Sequence, residues 1–88
     1  MHTKTWAVKI YLSEEDAVTK AHAVLVTEEP RAMLLHGEGT AFVHPSEQIV
    51  PEIGDEIAAS RALAELAAVL QNTARVDLEG VLSADSRQ

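Results

Sequence analysis

Four histidines and a scatter of carboxylates are the residues of this 88-residue chain whose chemistry could go beyond packing. His22 and His36 have the same parity on two consecutive strand-like stretches, and one register sets them opposite each other with Glu38 nearby. Three such ligands could hold zinc. A second register sets His22 beside Glu38 and displaces His36, so the residues leave both arrangements open. A histidine on a sheet surface is more often a polar residue among neighbours, and the expectation is no metal site. His2 and His44 have no predictable neighbours. Ser13, Ser46, Ser60, Ser83 and Ser86 all lie outside a G-x-S-x-G elbow, so no hydroxyl is placed for nucleophilic attack. Gly37 and Gly39 are two glycines inside a strand-like run and do not make the strand-to-helix phosphate loop of a dinucleotide fold. Asp55 and Glu56 are adjacent and point to different sides of a helix. The expectation is a protein with no catalytic residues and no cofactor, not an enzyme.

The elements that position these residues follow from periodicity. Thr5 to Leu12 alternates, with Trp6, Val8, Ile10 and Leu12 on one side and Ala7, Lys9 and Tyr11 on the other, which predicts a half-buried strand. Ser13 to Asp16 reads as a charged, solvated turn. Thr19 to Thr27 is the second strand and Ala32 to Val43 the third, an antiparallel hairpin broken at Glu28 to Arg31 around Pro30. Gly37, Gly39 and Ala41 recur with period two, and glycine is poor inside a strand unless another backbone must come close. That bare face is where a helix should lie. Val50 to Asn72 supplies it, opened by Pro51 and by Glu52, Asp55 and Glu56 in its first turn. On its wheel Ile53, Ile57, Ala59, Ser60, Leu63, Ala64, Leu66, Ala67 and Leu70 form a wide arc. Arg61, Glu65, Asp55, Ala58 and Ala62 fall opposite. Val76 to Leu82 is read as a short second helix, with Gly80 as its weak point.

Composition limits the partners. The net charge is -7 and the pI about 4.9, with seven Lys and Arg scattered singly, which opposes direct nucleic-acid binding unless the fold gathers Lys4, Lys9, Lys20 and Arg31. There is no cysteine, hence no disulfide framework, and a reducing cytoplasm is the expected compartment. The opening MHTKTWAVKIYL does not read as a secretory signal, and Arg61 and Glu65 interrupt the most apolar window, so no membrane span is expected. One domain over residues 1–88 is expected, ordered over about 5–82, with a marginal core that self-association could supplement. The outward parity of Tyr11, Val24, Val26, Leu34 and Phe42 makes that sheet face the expected dimer or partner surface.

The run Gly37-x-Gly39-x-Ala41, then Pro45, then Pro51-Glu52-Ile53-Gly54-Asp55-Glu56, then Arg61-Ala62-Leu63 and Leu66 resembles a family of small actinobacterial proteins. That family is a domain of unknown function with a fold similar to the double-stranded-RNA-binding domain (dsRBD). The resemblance extends from Trp6 to Val81. It implies an α+β, dsRBD-like fold in the order β-β-β-α-α: a three-stranded antiparallel sheet on one long helix, with a short second helix, as a homodimer. It also implies a hypoxia or dormancy response and a likeness to ribosome-hibernation factors, without catalytic residues. Members often carry Lys or Arg on the outward face of the second and third strands. This chain has His22, Val24 and Phe42 there, leaving Lys20 as the clearly basic residue. The expected function is therefore non-enzymatic protein association in a stress response, with a ribosome- or RNA-binding factor as the alternative.

Overall fold

The computed structural model describes residues 1–28, 32–42 and 50–86. Strands β1 (Ala7–Glu15), β2 (Val18–Thr27) and β3 (Met33–Phe42) precede the helix α1 (Pro51–Ser86). The strands form one antiparallel sheet in the order β1-β2-β3, with α1 on one face. This is the α+β architecture expected from the pattern of periods two and 3.6.

β1 runs three residues further than its apolar alternation. Ser13, Glu14 and Glu15 continue the ladder opposite Lys20, Thr19 and Val18, so the charged turn expected at Ser13 to Asp16 shrinks to Asp16 and Ala17. Asp16 takes φ 56°, a left-handed backbone angle that Asp tolerates better than most residues. At the β2–β3 hairpin the buried Thr27 hydroxyl accepts from the Met33 amide at 3.0 Å, on the last pair of the ladder. The sequence from His44 to Val50 reads as a linker between β3 and α1, and all of it but Val50 lies outside the described residues.

The core is made of small side chains. Ala21, Ala23, Leu25 and Ala41 from the sheet meet Ala58, Ala62 and Leu66 from α1, with Leu35 and Leu70 at the margin. The period-two glycines explain the spacing. A Cβ on Gly37 would come within 2.8 Å of Leu66 Cα, and one on Gly39 within 2.7 Å of Arg61 Cβ, so the helix backbone rests on the strand backbone. That contact corrects the expected wheel. Ala58 and Ala62, assigned to the outer half, are 0% exposed, whereas Ile53, Ile57 and Leu63 from the expected inner arc are exposed. A helix this close to glycines has room for a four-residue stripe of Gly54, Ala58, Ala62 and Leu66, and none for β-branched bulk.

A second correction concerns the C-terminal helix, since α1 is one uninterrupted element of 36 residues. Residues 72–76 contain no Pro or Gly, and side chains among them bond within the helix. Thr73 Oγ1 donates to the Val69 carbonyl at 2.9 Å, and Arg75 donates to Asn72 Oδ1 at 2.6 Å and to Glu79 Oε1 at 3.2 Å. The two Arg75 links, at i−3 and i+4, support a helix in water. At ~1.5 Å per residue α1 spans ~54 Å, against ~33 Å for a ten-residue strand, so it outruns the sheet. Beyond Thr73 every described side chain is exposed, including Val76, Leu78, Val81 and Leu82. Among the described residues, no helix is long and apolar enough to cross a membrane.

A third correction concerns β1, expected to be half-buried. All nine of its residues are exposed. Val8, Ile10 and Leu12 do face the helix side, as their alternation requires, since Leu12, Ile10 and Val8 pair with buried Ala21, Ala23 and Leu25, while Trp6 precedes the strand. A single helix ~10 Å wide covers about two strands spaced ~4.8 Å apart. Packed on β3 and β2, α1 leaves β1 uncovered.

Candidate functional site

The two edges of the sheet are treated differently by the helix. On β3, the Glu38 amide donates to Glu65 Oε2 at 3.2 Å, and the Thr40 carbonyl accepts from Arg61 Nη1 at 2.7 Å. Two side chains one turn apart on α1 thus reach past the sheet and close two of the outward hydrogen-bonding groups of β3, the Glu38 amide and the Thr40 carbonyl. These bonds also fix the phase of the ladder. Because Glu38 points its amide away from β2, its pair with His22 is a non-hydrogen-bonded one, and His22 turns its own amide and carbonyl toward Tyr11. The odd residues of β1 therefore bond to β2. Val8, Ile10, Leu12 and Glu14 direct their backbone groups outward, where no other strand lies among the described residues.

The same four residues of β1 carry their side chains on the helix side. Of these Val8, Ile10 and Leu12 are 38–46% exposed, and Leu63 of α1, 42% exposed, stands two residues from both Arg61 and Glu65. At 100° per residue that is about 160° round the helix from the β3 edge, on the flank turned toward β1. Strand edge and apolar shelf are thus contiguous. Acid residues mark the far end, where Glu14 meets the first turn of α1. The facing Asp55 carboxylate, by hydrogen bond and by charge, raises the Glu14 pKa above its ordinary 4.5, with smaller contributions from desolvation and Glu52.

The residues singled out by sequence parity lie on the opposite, outer face. Tyr11, Val24, Val26, Leu34 and Phe42 share it, as their alternation requires, but they do not form one patch. Val26 pairs with Leu34 at one end of the sheet, with Val24 in the next row, while Phe42, 76% exposed, stands beside Val18 at the other end. Leu34 and Phe42 are eight residues apart on one strand, ~26 Å. Between them lie the rows of Lys9 and His36, of Tyr11, His22 and Glu38, and of Ser13, Lys20 and Thr40. Tyr11, His22, Lys20, Glu38 and Thr40 line a shallow depression of about 440 Å³.

Of the two registers open to the histidines, the structure has His22 opposite Glu38 and His36 one row away, opposite Val24. The two rings nonetheless meet diagonally, with His22 Nε2 and His36 Nδ1 2.7 Å apart. Among the described residues, no three His, Asp or Glu side chains converge as metal ligands would. Lys9 and Lys20 share the outer face two rows apart, with the Glu38 row between them, and Lys4 precedes β1. Arg31 lies outside the described residues. Sequence reading missed Arg61 and Glu65 as guards of the β3 edge. The available signal was their i,i+4 spacing on the helix opposite a glycine-bearing strand, which brings the helix near enough for its side chains to reach that backbone.

Comparison with known proteins places these features in a wider set. Residues 4–87 match the family model described as Rv2632c-like. Uncharacterized protein MT1780 of Mycobacterium tuberculosis is 35% identical over 82 residues, covering 93% of this chain and 84% of that protein. Uncharacterized protein Rv2632c of the same organism is 37% identical over 76 residues, covering 86% of this chain and 78% of that one. The crystal structure of Rv2632c superposes with a TM-score of 0.78 at 34% identity, over 92% of this chain and 93% of that chain.

Proposed function

This chain belongs to the Rv2632c-like family, and from that premise we propose that it is a non-enzymatic protein-association module that works as a homodimer. The observation that carries the reading is the uncovered helix-side face of β1. Val8, Ile10, Leu12 and Leu63 make an apolar shelf beside a strand edge, in a domain whose buried apolar core, among the described residues, is five alanines with Leu25 and Leu66. Exposed apolar surface of this kind marks interaction sites, and small domains gain stability by covering it. The outer face supports association less well, because its apolar residues are divided by charged and polar rows. The stress or dormancy setting, the dsRBD-like designation and the likeness to ribosome-hibernation factors come with the family resemblance and belong to the same proposal. A net charge of -7 argues against phosphate contacts as the basis of binding.

Sedimentation velocity over a wide range of protein concentration tests this, alone and with ribosomes at low and moderate salt. The expected result is a dimer that dissociates on dilution and stays free of ribosomes. Ile10→Asp should weaken the dimer and Phe42→Asp, on the outer face, should not. The reverse pattern would move the association surface to the outer face. Co-sedimentation with ribosomes that survives moderate salt would replace the proposal with the hibernation-type reading.

A further inference from the structure

We infer that the open edge of β1 pairs with β1 of a second copy, antiparallel across a two-fold axis, so that two sheets become one of six strands. The inference rests on the association reading above and specifies its geometry. Its basis is the asymmetry of the edges: Arg61 and Glu65 occupy outward groups of β3, whereas those of Val8, Ile10, Leu12 and Glu14 face no strand among the described residues. Native sheets protect an edge with proline, a bulge, a short strand, charged side chains or a cover, and the charges of β1 are Lys9 within it and Glu14 and Glu15 at its end. β1 is nine residues long, contains no Pro or Gly, and keeps an unbroken one-to-one register with β2.

A second copy fits this edge because β1 is complementary to itself. Two-fold pairing must set outward-bonding residues against each other, so facing residue numbers sum to an even value. Centred on Ile10, the pairing sets Ile10 against its own copy and Val8 against the second copy's Leu12. On the outer face Lys9 meets the second copy's Tyr11, and at both ends Lys4 comes level with the second copy's Asp16. Centring on Lys9 opposes two like charges. Centring on Tyr11 sets Val8 against Glu14 and Trp6 against Asp16. The Ile10-centred register sets Trp6 against the second copy's Glu14, yet among these three it is the one that brings Val8, Ile10 and Leu12 together without opposing like charges. It also doubles the apolar shelf into one continuous floor between two helices.

Amide hydrogen exchange, read residue by residue by NMR on the unaltered chain, separates edge pairing from other dimers. In concentrated solution, where the dimer prevails, the Val8, Ile10, Leu12 and Glu14 amides should exchange at least about tenfold more slowly than in dilute solution. Lys9, Tyr11 and Ser13, bonded to β2, should be protected in both. Ile10→Pro removes an outward N–H without removing a bond to β2, and should give a folded monomer. A dimer in which those four amides exchange as fast as in the monomer would overturn edge pairing while leaving the association reading intact. A chain that stays monomeric at every concentration would overturn both.

Discussion

The close approach of helix and sheet makes one substitution, Gly to Ala, act with opposite signs at two places. At position 37 the new Cβ would meet the backbone of Ala62 and Leu66, with Leu66 Cα at 2.8 Å, and backbone cannot rotate away as a side chain can. Restoring ordinary contact requires α1 to retreat by about 1 Å, and a gap of that size forfeits roughly a quarter to a half of each dispersion contact across it. The contacts affected are those of the Ala58, Ala62 and Leu66 stripe with the sheet, the bulk of the buried core. Overpacking of this kind costs about 1–3 kcal/mol, against a gain of about 0.4–1 kcal/mol from a less flexible unfolded chain. A net loss of about 2 kcal/mol is expected for Gly37→Ala, because the obstruction is backbone. At Gly80 a new methyl group would meet nothing within 4 Å, and the residue sits in an exposed helical stretch, so Gly80→Ala should gain about 1 kcal/mol of helix propensity. Urea unfolding followed by circular dichroism at one fixed protein concentration reads both. With a slope of about 1 kcal/mol/M for a small domain, the midpoint should fall by about 2 M for Gly37→Ala and rise by about 1 M for Gly80→Ala. A Gly37→Ala midpoint equal to that of the parent would show that the helix does not rest on the strand backbone.

Two further outcomes follow from the edges and the acid cluster. Arg61→Ala and Glu65→Ala should each cost about 0.5–1.5 kcal/mol, and Glu65→Ala should speed exchange of the Glu38 amide while leaving that of Gly37, bonded to β2, unchanged. Glu14→Gln should raise the thermal midpoint at pH 7. The folded-state pKa of Glu14 is raised above 4.5, so its stabilising contribution is full below that value and is lost as pH climbs through the folded pKa. The difference between variant and parent should therefore close in acid and open toward neutrality, and a difference independent of pH would contradict the Glu14–Asp55 contact.

Much of this architecture is written in local sequence. Period two in the strands, Pro51 and the acids at the helix start, and the bare face of Gly37, Gly39 and Ala41 determine three strands, one long helix and the place where they meet. Those signals are local, and each is a property of a few consecutive side chains. Which arc of the helix turns inward was not legible, because hydrophobicity favours Ile53, Ile57 and Leu63, whereas the glycine backbone admits Ala58 and Ala62. Helix continuity through residues 72–76 was hidden for a related reason, since the side-chain bonds of Arg75 to Asn72 and Glu79 offset weak intrinsic propensity. The histidine register depended on pairing across the hairpin, which parity narrows to two choices and cannot decide. Above all, alternation in β1 shows two faces without showing whether anything covers them. Only the tertiary arrangement, a helix wide enough for two strands and bonded by Arg61 and Glu65 to the far edge, decides that β1 is left open among the described residues.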